Sequence, residues 1–519
     1  MAPAVGHLEK LARRGTASVV GAGSAAVFGV LLVVIVTNGF PASLAGTLFT
    51  ATATFLILES VALLGTDTGL VRCWPVQVAS GRAADLPRTL VVAAAPVLGL
   101  SVVAAVAVYA TAPALAPYLV GPEHAPTMSS MLRALALVLP VAAAYDVALA
   151  ASRGLGSMRP TVVVDNVGRL GLQFVAVLVT YLAGGGALAL ALAWSLPYLV
   201  GLFAALWWLR VLLGRHAGAG QPTAWSVLVR EFWGYTAPRA VARIVQSGLK
   251  RSDIVMVAAL ASPAEAALYT AATRFIVLGQ LFVQSVQQAL SPQLSSLFAR
   301  AETRAADAVY QAATAWSLIA VWPLYLVTAG FAPTLMSVFG DGYAAAADVV
   351  VILSLTMLLA TLCGPVDSVL LMAGRSWLSL VNNCVALAVN VALNLLLIPA
   401  AGIRGAAIAW SVAIVVRNVL PLTQVHRQLG LWPVTRSTAI AGLGAIACFG
   451  TVDLVVLAAD PPLPVAAAML AVATVVYLAG VWWRRAPLGL AAFASALRRR
   501  SPGQHSRRAV PGPRPTTLV

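Results

Sequence analysis

The 519-residue chain is 60% hydrophobic and 10% charged, with a mean hydropathy of +0.90. Soluble domains are about 45–50% apolar and about 25% charged, so this composition excludes an ordinary globular protein and points to one polytopic membrane domain. The 33 Lys+Arg against 17 Asp+Glu give a formal charge of +16. In a membrane chain the placement of those charges matters more than their sum, so the basic balance implies membrane lipids as partners and no nucleic acid.

Residues 1–16 form a basic segment (Lys10, Arg13, Arg14) expected on the cytoplasmic side. The apolar run Ser18–Val36 is too long for a signal-peptide core and lacks a cleavage site, so it reads as a retained first span. A span takes about 20 mostly apolar residues. On that measure the chain carries about 14 helices, centred near residues 27, 55, 98, 139, 171, 200, 245, 277, 320, 358, 388, 415, 447 and 473. The breaks between them are short and carry turn residues, among them NGFPAS, AGGGA, FGDGY, AAGIRG and AADPPLP. The expected organisation is an N-lobe at 17–215 (spans 1–6), a C-lobe at 226–428 (spans 7–12) and two further spans at 436–484. The Arg- and Pro-rich segment 485–519 cannot build a core and reads as a disordered basic tail on anionic headgroups.

Basic residues collect on one side of these spans. They comprise the N-terminal trio, Arg72, Arg82 and Arg88, Arg153 and Arg159, Arg210, Arg215 and Arg230, Arg300 and Arg304, Arg375, then Arg417, Arg427 and Arg436, and eight arginines from Arg484 to Arg514. Together they make 25 of the 33. Both termini are therefore expected in the cytoplasm of a multi-pass plasma-membrane protein. No outer loop exceeds roughly 15–18 residues, against the outer domain a membrane glycosyltransferase or ligase uses. The four cysteines show no CxxC pairing, the five histidines fall in loops or tails, and no Ser-His-Asp, HExxH or P-loop arrangement occurs in a suitable context. The reading is a non-enzyme without a metal or cofactor.

The chain also repeats itself. LFTATATF (Leu48–Phe55) matches LYTAATRF (Leu268–Phe275) at an offset of 220, and RAAD recurs at Arg82 and Arg304 at 222. LAP at Leu115 and AWS at Ala193 correspond to FAP at Phe331 and AWS at Ala409, both at 216. Six spans per unit give both copies the same topology, which predicts two parallel lobes around a central cavity, a transporter architecture.

Charges in hydrocarbon are costly and face a bundle interior or a watery cavity. In the seventh span Arg239, Arg243, Gln246, Lys250 and Asp253 stand at i, i+4, i+7, i+11 and i+14, within about 40° of one line. Snorkelling to the headgroups is the alternative reading for Arg239 and Arg243. Lys250 lies too many turns in, and the stripe suits a phosphate, which Arg grips bidentately. Arg251 lies off the stripe, and Arg274 is deep in the next span. Gln280, Gln284 and Gln287 share one face of the eighth span, fit either for sugar hydroxyls or for interhelical hydrogen bonds. Asn383 and Asn390 of the eleventh span repeat Asn166 and Gln173 of the fifth at an offset of 217. Asp165 and Arg169 read as a local salt bridge. Glu59, Asp67, Asp146, Asp253 and Asp367 are buried acids, suited to H⁺ or Na⁺ coupling or to serving as counter-ions of the deep arginines.

The spans from roughly Gly21 to Trp483, with LKRSDIVMVAALASPAEAALYTAATRF (Leu249–Phe275), resemble the multidrug/oligosaccharidyl-lipid/polysaccharide (MOP) flippase superfamily, and within it the Wzx-type O-antigen flippases. The resemblance implies translocation of a polyprenyl-diphosphate-linked glycan from the cytoplasmic to the outer leaflet by alternating access, in company with polysaccharide polymerase or ligase machinery. The lipid II flippase branch carries charges in its first span, whereas Gly21–Thr37 has none. The drug/cation antiporter branch favours acidic cavities. Arg in place of Lys nearly throughout, with abundant Ala, suggests a GC-rich bacterial source.

Overall fold

The structure, a computed structural model, describes residues 2–216, 223–459 and 461–484, with side chains from residue 21 onward except 289 and 292. The tail at 485–519 and Asp460 lie outside the described residues.

Among the described residues every regular element is helical. The first six-span unit comprises α1 (Ala2–Gly39), α2 (Ala42–Ala62), α3 (Thr66–Ala79), α4 (Leu86–Val120), α5 (Ala125–Gly154), a π-helical turn (Thr161–Arg169) running into α6 (Leu170–Leu182), α7 (Ala187–Ser195) and α8 (Pro197–Arg215). The second comprises α9 (Trp225–Leu260), α10 (Pro263–Ala299), α11 (Thr303–Gly330), α12 (Ala332–Ser337), α13 (Ala347–Leu362), α14 (Val366–Met372) and α15 (Ser376–Leu429). Then follow α16 (Arg436–Ala445), α17 (Thr451–Ala459) and α18 (Leu463–Trp483).

Among the described residues twelve helices are long and apolar enough to cross a bilayer. Two features separate that number from the expected fourteen. α15 has 54 residues, which would run roughly 80 Å if straight, far more than a bilayer. It turns back at Gly402, whose φ of 55° and ψ of −136° suit only glycine. A Cβ on Gly405 would collide with the Leu397 backbone carbonyl, and Asn382 and Gln424 exchange reciprocal amide hydrogen bonds of 2.8 and 2.9 Å. α15 is therefore an antiparallel hairpin of two arms. α9, at 36 residues, is long enough to cross but is not among the twelve because of the charges it carries.

In lipid there is little hydrophobic drive between helices, so small residues that permit close approach decide the packing. α2, rich in Ala and Thr and carrying Gly46, is buried over most of its length and packs against α5, α9 and α10. α1 packs on α10 as α9 packs on α2, the exchange expected of two related units.

The apolar core shows how the lobes meet. One cluster joins the N-lobe to the C-lobe through Tyr269, Ile276, Tyr325, Phe339 and Leu353. A separate cluster, around Leu290, Tyr310, Val369 and Val425, holds the other end of the C-lobe alone. The lobes thus share a core at one end; at the other, the C-lobe keeps its own cluster while the start of α9 stays on the N-lobe through Leu228, Phe232 and an Arg82–Glu231 ion pair at 3.0 Å. At the closed end Asn38 Nδ2 donates to the Val338 carbonyl at 3.0 Å, and Gly46 lies directly against the Pro263 carbonyl. The three additional helices α16–α18 pack on α11, where Tyr477 donates to the Ile319 carbonyl at 3.1 Å.

Candidate functional site

Between the lobes lies a cavity of about 290 Å³. α2 supplies Leu56, Glu59, Ser60 and Leu63, α5 supplies Asp146, the π-helical turn supplies Asp165 and Arg169, and α8 supplies Tyr198. The facing wall is α9, with Arg243, Gln246, Ser247, Lys250 and Arg251.

Local structure sets these positions. α2 ends at Leu64 and Gly65, both left-handed (φ 48° and 72°), and the Gly65 backbone lies against Ala240 of α9. The chain then restarts as α3 with Asp67 in its first turn, bringing that carboxylate to Arg243 at 3.1 Å. The π-helical turn places Asp165 and Arg169 together, with Arg169 Nε on Asp165 at 2.7 Å. Such turns are uncommon and recur at functional sites. Arg169 also donates to Gln173 at 3.2 Å and stacks over Tyr198 at 4.6 Å. Tyr145 donates to Asp165 at 3.1 Å. Arg169 is therefore fixed and its charge matched.

Lys250 and Arg251 are different. Among the described residues neither forms an ion pair with a carboxylate. The charged neighbours of Lys250 are Arg251, Arg417 and Arg243, all of them cations. Like charges gathered beside a low-dielectric wall repel one another, and a bound anion relieves that repulsion. Two phosphates would meet complementary donors here, from a compact ammonium and planar guanidinium forks.

The expected stripe is divided by the structure. Arg243, Gln246 and Lys250 line the cavity, whereas Arg239 lies outside it over the Tyr235 ring at 5.3 Å. Asp253 is buried in the C-lobe, accepting from Asn394 at 2.7 Å and Tyr269 at 3.3 Å. Asn390 joins that network through Asn394 and Ser252, and Asn383 donates to the Ser379 carbonyl at 2.7 Å. Asp367 accepts from Ser379 at 2.6 Å. Arg274 donates to the Thr270 carbonyl at 3.3 Å. Gln280 and Gln287 are half-buried and Gln284 exposed on α10, away from the cavity lining. Among the described residues no cluster of three or more His, Cys, Asp or Glu could hold a metal ion.

The family profile described as "Polysaccharide biosynthesis protein" matches residues 85–348, just over half of the chain. The chain belongs to that family. No curated protein matches this polysaccharide biosynthesis protein, but solved structures share its fold. The lipid II flippase MurJ in an inward closed conformation aligns at a TM-score of 0.72 and 12% identity, over 90% of this chain and 99% of that one. An inward-facing multidrug resistance MATE transporter of the MOP superfamily aligns at 0.63 and 15%, over 78% and 94%. A MOP superfamily transporter from Pyrococcus furiosus, noted for the reverse polarity of its binding pocket, aligns at 0.57 and 16%, over 81% and 96%. Family and fold make this chain a multi-pass helical polysaccharide biosynthesis protein that shares its fold with MurJ and the MATE transporters.

Sequence reasoning left Arg251 and Arg417 out of its candidate site. Arg251 sits one residue past Lys250, turned about 100° off the stripe, and the cavity wraps far enough around α9 to reach it. Arg417, counted with the cytoplasmic loops, stands about midway along the second arm of α15. Its distance from the Gly402 and Gly430 breaks was the available signal.

Proposed function

We propose that this protein carries a polyprenyl-diphosphate-linked oligosaccharide from the cytoplasmic to the outer leaflet of the plasma membrane by rocking of its two lobes. The observation that carries the proposal is the cationic wall of Arg243, Lys250 and Arg251 inside an interlobe cavity, where the charged neighbours of Lys250 are all cations. In this reading both termini and the open end face the cytoplasm and the closed end faces outward. The two arms of α15 and the charged α9 each cross, giving fourteen spans. The diphosphate lies along Arg243, Lys250 and Arg251, Gln246 reaches the first sugar, and the prenyl tail stays in lipid. Gln280, Gln284 and Gln287 on the open face of α10 meet the rest of the glycan as it enters. Arg239 and Arg274 flank the path, and the Asn383 and Asn390 amides brace the C-lobe wall. The cycle is driven by an ion gradient, the membrane potential or removal of product by polymerase or ligase machinery.

The test is to replace Lys250 and Arg251 with Ala and assay surface exposure of the lipid-linked glycan in cells. The expected result is a loss of at least tenfold at normal protein level. Undiminished exposure would overturn the placement of the diphosphate. Drug resistance lost with intact surface glycan would instead favour a drug antiporter, and lost lipid II export would favour the lipid II branch.

A further inference from the structure

Five buried acids stand out in the sequence, and their surroundings separate them. Asp67 pairs with Arg243 at 3.1 Å. Asp253 accepts from Asn394 and Tyr269 in a pocket away from the cavity. Asp367 accepts from Ser379 at 2.6 Å. Among the described residues Glu59 and Asp146 have no such hydrogen-bond or ion-pair partner. Both line the interlobe cavity. Glu59 is 6% exposed, and its Oε1 is buried with no hydrogen-bond partner. A desolvated carboxylate oxygen left unpaired beside a second carboxylate is costly if both groups are ionised, and a proton shared at the pair removes that cost.

The charged and titratable groups facing Glu59 come from each neighbouring element. They are Asp146 from α5, Asp165 and Arg169 from the π-helical turn, Arg251 from α9 and Tyr198 from α8. Arg274, on α10, faces Arg251. Asp146 faces Arg153 of its own helix α5 and Asp67 of α3, and Asp165 is held by Arg169, so Arg251 is the remaining counter-charge that faces Glu59. It is also one of the cations assigned above to the cargo. An anion that engages Arg251 withdraws that counter-charge, and the acids then gain by taking up a proton.

We propose that Glu59 and Asp146 form a charge-compensating proton site, which is filled when the anionic headgroup binds the α9 cations. The inference rests on the diphosphate reading of the cavity and deepens it. A doubly charged diphosphate diester crosses a low-dielectric barrier more cheaply with its charge partly cancelled. Proton and headgroup binding then promote each other, since linkage is reciprocal. No bond to carbon or phosphorus changes; one proton moves from water to a carboxylate oxygen and returns to water when the headgroup leaves.

The experiment is isothermal titration of the purified full-length protein in detergent with farnesyl-diphosphate-linked N-acetylglucosamine, whose phosphates do not titrate between about pH 6 and pH 8. The expected result for the wild type is binding several-fold tighter at pH 6 than at pH 8. Buffers of different ionisation enthalpy should reveal proton uptake on binding. E59Q, a neutral mimic of the protonated acid, should bind with the tighter affinity at both values, and D146N should halve the pH response or abolish it. Size-exclusion profiles and binding itself establish that each variant is folded. Binding of equal strength at pH 6 and pH 8 with no proton uptake would overturn the proton site and leave the diphosphate reading standing. An E59Q variant with the full wild-type pH response would overturn it as well. Absence of binding at every pH would overturn the diphosphate reading and this inference with it.

Discussion

The closed end of the molecule depends on a single missing side chain. Gly46, on α2, lies so close to the Pro263 carbonyl that an added Cβ would occupy the same space. The obstacle is backbone, which no rotamer change can move aside. Gly46→Ala therefore forces α2 away from the start of α10, and with them the lobes at this end. Overpacking of this kind costs about 1–3 kcal/mol. At 1.4 kcal/mol per tenfold, that penalty shifts the balance between closed and open arrangements of this end by roughly five- to 150-fold. The cost falls on the conformer described here and not on one in which the ends have parted. A cysteine pair reads the shift directly. Asn38 bonds to the Val338 carbonyl at 3.0 Å, so cysteines at 38 and 338, in a background lacking Cys73, Cys363, Cys384 and Cys448, should cross-link readily. Gly46→Ala should lower the cross-link yield severalfold while the protein stays monodisperse. An unchanged yield with an unchanged transport rate would refute the view that this contact seals the lobes.

Two further outcomes follow from the same geometry. Gly402→Val places a β-branched residue where φ is 55° and ψ −136°, a region essentially closed to it. Folded yield, measured by fluorescence-detected size exclusion, should fall sharply, and a normal yield would contradict the hairpin turn. Asp67→Asn removes the 3.1 Å counter-ion of Arg243 and frees that guanidinium. Affinity for the farnesyl diphosphate sugar should rise a few-fold by calorimetry, whereas a loss of affinity would show that Asp67 positions Arg243 for the cargo.

Much of this architecture was legible because bilayer chemistry restricts it. Apolar runs of span length and turn residues such as those around Gly402 mark the helices, and the offset matches between Leu48 and Leu268 mark the two units. The site was harder to read. Periodicity along α9 singled out Arg243, Gln246 and Lys250, since residues at helical spacing share a face. It also drew in Arg239 and Asp253, because a stripe says nothing about where along its length a cavity begins and ends. The break at Leu64 and Gly65 decides which acids meet which cations, and left-handed backbone at Leu64 has no sequence signature. Asp165 and Arg169 were legible as a pair, but their place on a cavity wall depends on a π-helical turn that a 3.6-residue period does not anticipate.

The most direct test of the account is translocation in proteoliposomes. A fluorescent polyprenyl-diphosphate-linked oligosaccharide in both leaflets would be followed by its accessibility to an external quencher or lectin. The wild type should expose it rapidly, and the Lys250→Ala, Arg251→Ala variant, reconstituted to the same density, should expose it at least tenfold more slowly. Equal rates for the two proteins, or a wild-type rate no faster than protein-free vesicles, would contradict the account.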